Sequence, residues 1–205
     1  MPTLHLAVFW CREIDTYYVL TPRLFRGART YAKQYGFELE ILPQYVRDKQ
    51  FVLPFIGQVI PESLSKSRDQ SLLNKIANEN VRGLCDAAFR GEKRVPVVLG
   101  GLGETNNGWS GYTVQSASRS DEYGRPVMVT SSWPPWSIID PVKAVSYDWL
   151  VIHELVHASG FMNVGPYSHV NDRNDLMNKN SDETVANPKM SDAAKTSLTN
   201  AYFCW

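Results

Sequence analysis

Strand-like and helix-like segments alternate along the first hundred residues, and this alternation limits the fold more than any other feature of the sequence. Three segments have the apolar or alternating composition of β-strands: 4–11, 37–45 and 95–101. A helix is predicted between the first two, with Thr21 as its N-cap, Pro22 as its first residue and Gly36 at its end, and a second helical period covers 62–90. Because strands joined through helices lie parallel, the sequence predicts an α/β fold with a mixed, mostly parallel, twisted sheet.

The next part of the chain predicts two further strands and a helix. The strands lie at 108–114, where glycines are frequent, and at 125–133. The helix is predicted to begin with Asp140 as its N-cap and Pro141 as its first residue. Its apolar residues recur at helical spacing until Gly160, which is expected to end it in a left-handed conformation.

A long region without periodicity follows Gly160, and a last helix is predicted over roughly 191–203, beginning at Ser191. We therefore expect one domain that spans the whole chain. Within it, residues 1–160 are expected to form an N-terminal subdomain, and residues 161–205 a small irregular subdomain that ends in a helix.

Composition argues against several classes of partner. Lys+Arg and Asp+Glu number 21 each, so no net charge favours nucleic acid or an anionic membrane. No run of about 18 apolar residues predicts a membrane-spanning helix. Residues 1–15 lack the basic start and cleavage site of a signal peptide, so we expect either no export by that route or a mature form. The chain has three cysteines, Cys11, Cys85 and Cys204, so at least one thiol is unpaired. A disulfide from Cys204 to either of the other two is possible but not required.

The segment HELVHASG, residues 153–160, contains the residues most suited to catalysis. His153 and His157 lie about 40° apart on one face of the predicted helix, one turn from each other. Two imidazoles in this arrangement can bind one Zn²⁺, and Glu154 beside them can take a proton from a water on the metal. The alternative is a helix whose histidines only make hydrogen bonds, but two of the four histidines of the chain fall in this pattern. The spacing therefore predicts a zinc site with Glu154 as general base.

This motif, followed by DLMN at 175–178, resembles the metzincin clan of zinc peptidases. The pattern of that clan is H-E-x-x-H-x-x-G-x-x-H with a methionine turn beneath the metal. The residues His153, Glu154, His157 and Gly160 match position by position, and Met177 lies in the matching turn. The order of strands and helices before the motif is also similar to that of the clan. The resemblance implies a zinc-dependent endopeptidase, without selecting a family within the clan.

The third zinc ligand departs from the pattern of the clan. The clan's position falls on Asn163, whose amide is a poor zinc ligand. Downstream, His169 offers an imidazole between Gly160 and the methionine turn, so we expect it to complete the site. Asp172 is the main alternative, since a carboxylate also binds zinc, and Asn163 and Asp175 are weaker ones.

The sequence thus predicts hydrolysis of peptide bonds in a peptide or protein substrate. The strand at 108–114 is either an edge strand, to which an extended substrate can pair, or a plain internal strand. Two alternatives stay open. One is a catalytically silent zinc-binding interaction protein of the same fold, and the other is a zinc amidohydrolase acting on a non-peptide substrate. Glu154 argues against a silent site, because purely structural zinc is normally closed by four ligands and needs no base.

Overall fold

The structure is a computed structural model, and it describes residues 1–11, 17–42, 52–53, 93–100, 111–114, 127–131, 149–161, 169–178 and 187–205. Six strands lie in this part of the chain: β1 (Thr3–Cys11), β2 (Glu38–Leu42), β3 (Val52–Leu53), β4 (Val95–Gly100), β5 (Gly111–Val114) and β6 (Val127–Ser131). Three helices accompany them: α1 (Tyr17–Gln34), α2 (Leu150–Ala158) and α3 (Asp192–Thr199). None of these helices is long and apolar enough to cross a membrane.

The strands form one sheet in the order β2-β1-β4-β6-β5, with β3 paired to the far end of β1. Neighbouring strands run parallel except β5, which runs antiparallel to β6. The strand β1 lies inside the sheet, and its residues Leu4, His5, Leu6 and Ala7 are all buried. Burial alternates along β2, as expected of a strand with one face toward solvent. The prediction of an α/β protein is confirmed.

Most predicted elements of the first hundred residues are present. The short strand β3 was not predicted, and the helix predicted over 62–90 lies outside the described residues. The helix α1 begins at Tyr17, so the prediction of Thr21 as N-cap and Pro22 as first residue is wrong. A proline removes one backbone donor from a helix, and the packing of the buried Phe25, Ala28, Tyr31 and Ala32 outweighs that loss. The predicted end is confirmed, because Gly36 has a φ of 86°.

Every residue of α2 is buried, so this helix lies inside the protein. It begins at Leu150 with Trp149 as N-cap, and the prediction that Asp140 caps it is therefore wrong. The spacing of apolar residues predicted the helix but not its first residue, and the helix is buried on all sides rather than on one face. Its end is as predicted: Gly160 has a φ of 96°, and Phe161 N–H donates to the Val156 carbonyl at 3.3 Å. This left-handed end turns the chain back toward the helix.

The helix α3 begins as predicted, since the Ser191 side chain accepts a hydrogen bond from Ala194 N–H. It ends at Thr199 rather than near 203, because the last residues leave it to pair with the start of β1. His5 N–H donates to the Phe203 carbonyl at 2.8 Å, and Trp205 N–H donates to the Thr3 carbonyl at 3.1 Å. Backbone pairing with a central strand thus outweighs continuation of the helix.

One hydrophobic cluster joins the sheet, α1, α2 and the C-terminal region. It includes Leu6 of β1, Ile152 of α2, Met177, Leu198 of α3 and Phe203. Cys204 contacts this cluster with a free thiol, so the structure contains no bridge from Cys204. The side chain of Cys11 and the whole of Cys85 lie outside the described part. The two predicted subdomains, divided after residue 160, stay a prediction.

Candidate metal centre

Three histidines lie close together at the end of α2. One nitrogen atom from each of His153, His157 and His169 lies within 4.8 Å of the other two. Helical spacing accounts for the first pair, since residues four apart face the same way one turn from each other. The third, His169, lies on the segment 169–178, whose Leu176 carbonyl oxygen is 2.6 Å from His153 Nδ1. Within the described residues, this is the one group of three histidine, cysteine or acidic side chains that could hold a metal ion.

The rings are arranged around a common point. The Nε2 atoms of His157 and His169 lie 3.3 Å apart. The centroids of the His153 and His157 rings are 4.9 Å apart, as are those of His157 and His169, and both pairs meet nearly edge to face. The His153 and His169 rings are stacked with their centroids 5.3 Å apart. Nitrogen atoms so close, at the tips of three converging rings, can bind the same cation.

A hydrogen bond to the backbone orients the ring of His153. His153 Nδ1 lies 2.6 Å from the Leu176 carbonyl oxygen, so this nitrogen must carry the proton and donate it. The Nε2 atom of His153 is thereby left unprotonated in the neutral ring, which is the form that binds a metal. The ring of His157 lies close to the Phe161 backbone, which raises the pKa of His157 against the larger lowering effect of burial.

The third histidine and the carbonyl that orients the first belong to one turn, residues 169–178. Val170 N–H donates to the Met177 carbonyl at 2.9 Å, and Asn178 Nδ2 donates to the Val170 carbonyl at 3.0 Å. These bonds close the turn on itself directly after His169. The side chain of Met177 is fully buried in the core cluster and anchors the turn from inside. The position of this turn therefore determines the positions of both His169 and the Leu176 carbonyl.

Burial keeps the helix histidines neutral. It lowers the pKa of His153 to about 4, against a smaller raising effect of the hydrogen bond to Leu176. Burial, followed by the neighbouring His153 and His169, lowers the pKa of His157 to about 3. Neutral imidazole is the form that coordinates a metal, so the two rings need not release a proton to bind one near pH 7.

The remaining predicted residues take other places. Asp172 is exposed and caps a turn, accepting a hydrogen bond from Asn174 N–H at 2.9 Å. Asp175 accepts a hydrogen bond from Met177 N–H at 2.7 Å. Neither aspartate belongs to the group of side chains that could hold a metal ion, whereas His169 does. The choice of His169 as third ligand stays a prediction. Asn163 lies outside the described residues. Glu154 is 4% exposed and follows His153 in α2.

Comparison of the chain with protein-family models gives no match, and comparison with curated proteins gives no significant match.

Two contributors to this centre were missed from the sequence. The Leu176 carbonyl is a backbone group, and nothing in the residue type marks it as a partner of His153. Asn178 is a buried polar residue at the end of the DLMN segment. Asparagine is common in turn-rich regions, so its presence there does not indicate a specific role. Only the closed turn, which brings residues eight apart together, makes its role visible.

Proposed function

We propose that the protein is a zinc-dependent endopeptidase in which His153, His157 and His169 bind the metal and Glu154 is the general base. The observation that carries the proposal is the cluster of three histidines, two of which lie on the helix that also carries Glu154. A base beside three metal ligands is the arrangement of catalytic zinc rather than structural zinc.

The donor set supports zinc as the ion. Two imidazole nitrogens bound to one zinc at roughly 2.0–2.1 Å, with near-tetrahedral angles, lie roughly 3.3–3.4 Å apart. The separation of the His157 and His169 Nε2 atoms is 3.3 Å. Three imidazoles without a thiolate also suit other transition metals, but a three-histidine site with a neighbouring carboxylate is typical of zinc in hydrolytic enzymes. Three protein ligands leave a fourth position for a water molecule.

The roles of the side chains follow from their chemistry. A zinc ion held by the three imidazoles would lower the pKa of a water molecule and polarise the carbonyl of the scissile bond. The carboxylate of Glu154 would take a proton from that water as its oxygen bonds to the carbonyl carbon. It would pass the proton to the nitrogen of the leaving amine as the C–N bond breaks. The Leu176 carbonyl holds the His153 ring in the tautomer that binds metal. Burial of Glu154 keeps bulk water from competing for its proton.

The sheet supports a peptide as the substrate. Among the described strands, β5 lies at the end of the sheet, pairs with β6 alone and packs against α2. An edge strand has free backbone donors and acceptors on one side, to which an extended peptide can add as a further strand. Its place beside the metal-binding helix would bring a bound peptide near the histidines.

A metzincin-like architecture is part of the proposal. It is supported by the left-handed Gly160 after the motif, by the buried Met177 in the turn that follows, and by the antiparallel β5 at the end of a parallel sheet. In this interpretation the third ligand has moved six residues along the chain, from Asn163 to His169. Residues 161–205 supply that ligand, the methionine turn and the closing helix α3.

Hydrolysis of an unfolded protein substrate tests the proposal. We expect cleavage that stops when a chelator removes the metal and returns when zinc is added, and no cleavage by the His153→Ala variant. Stoichiometric zinc without hydrolysis of any protein or peptide would contradict the endopeptidase and favour a silent binding protein. Hydrolysis restricted to small amides would favour the non-peptide amidohydrolase.

A further inference from the structure

The turn that sets the metal ligands is itself held by a neighbouring segment, residues 187–190. Lys189 N–H donates to the Asn174 carbonyl at 2.6 Å, and Leu176 N–H donates to the Lys189 carbonyl at 2.8 Å. Leu176 is the residue whose carbonyl orients His153. The backbone of Lys189 therefore fixes the two peptide units that directly precede that carbonyl.

Two tyrosines of α1 form hydrogen bonds with the segment 187–190. The Tyr31 hydroxyl donates to the Pro188 carbonyl at 2.5 Å, and the Tyr35 hydroxyl approaches the same carbonyl at 3.4 Å. The Tyr35 oxygen also accepts a hydrogen bond from Met190 N–H at 3.1 Å. The tyrosines thus bind the backbone on both sides of Lys189, with their ring centroids 5.1 Å apart.

The Tyr31 hydroxyl is a permanent donor. Tyr31 is only 3% exposed, and burial, followed by the neighbouring Tyr35, raises the pKa of Tyr31 well above the ordinary value. The Tyr31 hydroxyl therefore keeps its proton near neutral pH, as donation to the Pro188 carbonyl requires. The Pro188 carbonyl is buried as well, so loss of this donor would leave a buried acceptor short of a strong partner.

We propose that Tyr31, assisted by Tyr35, is a positioning residue of the metal centre. The contacts run from the Tyr31 hydroxyl to Pro188, through Lys189 to Leu176, and from the Leu176 carbonyl to His153. Because the same turn carries His169, these contacts set two of the three ligands. This inference rests on the proposed metal site, but it names residues of a different helix that do not touch the metal.

The expected loss of zinc affinity can be judged from other residues that form hydrogen bonds with metal ligands. Removing a group that orients a metal-binding histidine typically weakens metal binding by about 10–100-fold. Tyr31 acts through two further residues, so we expect Tyr31→Phe to weaken zinc binding about tenfold. Tyr35→Phe should have the same direction of effect, since Met190 N–H loses its acceptor.

The experiment measures metal binding rather than hydrolysis. The zinc dissociation constant is determined by competition with a chelator for the parent, Tyr31→Phe, Tyr35→Phe and Ser197→Ala. Ser197→Ala is the matched control, because it removes a hydroxyl that bonds Ser159 between α2 and α3 at 2.6 Å without touching the turn. The visible spectrum of each protein saturated with Co²⁺ reports the coordination geometry independently of overall stability.

We expect both tyrosine variants to bind zinc more weakly than the parent and to show a shifted Co²⁺ spectrum, with both properties unchanged in Ser197→Ala. Parental affinity and spectrum in Tyr31→Phe would overturn the inference while leaving the proposed function intact. If Tyr31→Phe does not fold, the same two readouts on Tyr35→Phe decide the matter. A parent chain that binds no metal would overturn the proposed function and this inference together.

Discussion

Acidification should destabilise the metal-free protein through two buried histidines. In the folded chain the pKa of His153 is lowered to about 4 and that of His157 to about 3. In the unfolded chain both rings have a pKa of about 6.5. Above that value neither state binds a proton, so the two rings do not affect the pH dependence of stability. As the pH falls from 6.5 toward the folded values, only the unfolded chain takes up protons, and stability is lost.

The size of the loss can be worked from these values. At pH 5 the unfolded rings are largely protonated and the folded rings are not, which corresponds to about 2 kcal/mol for each histidine. Together the two rings would cost up to about 4 kcal/mol, a large share of the roughly 5–15 kcal/mol that stabilises a typical domain.

Urea denaturation of chelator-treated protein at pH 7 and pH 5 measures this loss. A double variant, His153→Gln with His157→Gln, is the control, because amides do not titrate. We expect the parent to lose about 2–4 kcal/mol more than the double variant between the two pH values. Equal losses in both proteins would refute the burial of uncharged imidazoles on which the description of the centre depends.

Further predictions concern the ligand set and its support. His169→Ala should weaken zinc binding beyond the ~10–100-fold typical of residues that only orient a ligand, whereas Asp172→Ala should leave the dissociation constant unchanged; the reverse result would exchange the two assignments. Asn178→Ala, which frees the Val170 carbonyl beside His169, should weaken zinc binding about tenfold, and an unchanged constant would show that the turn closes without it. Ser191→Ala should lower the free energy of unfolding by about 1 kcal/mol through loss of the N-cap of α3 but leave zinc affinity unchanged, as thermal denaturation and chelator competition will show. Gly160→Ala should cost about 1–2 kcal/mol because of its left-handed backbone, and a neutral effect would contradict that conformation.

Periodicity and helix-stop signals allowed the central elements to be predicted. The apolar run that became β1, the alternation that became β2 and the glycines that end α1 and α2 are local signals, and local signals determine element type and some ends. The starts of α1 and α2 were predicted wrongly, because capping residues such as Thr21 and Asp140 indicate a start only where packing agrees. The end of α3 was also wrong, since pairing of residues 203–205 with β1 is a long-range contact.

At the metal centre too, local sequence signals allowed prediction, whereas long-range contacts did not. Spacing of four placed His153 and His157 on one helix face, and an imidazole between Gly160 and Met177 predicted His169. The Leu176 carbonyl, Asn178 and the two tyrosines of α1 escaped prediction because their roles depend on backbone groups brought together by the fold. Tyr31 and Pro188 are 157 residues apart in sequence, and no local pattern relates them.

The Glu154→Gln variant separates the role of the general base from metal binding. Glutamine preserves the shape of the side chain but cannot take the proton from water, while the three histidines remain. Zinc content and the rate of peptide hydrolysis are measured on the same preparation as the parent. The role of Glu154 as general base predicts one zinc per chain in both proteins and a loss of hydrolysis of at least about 100-fold in the variant. A Glu154→Gln protein that holds zinc and hydrolyses peptides at the parental rate would contradict it.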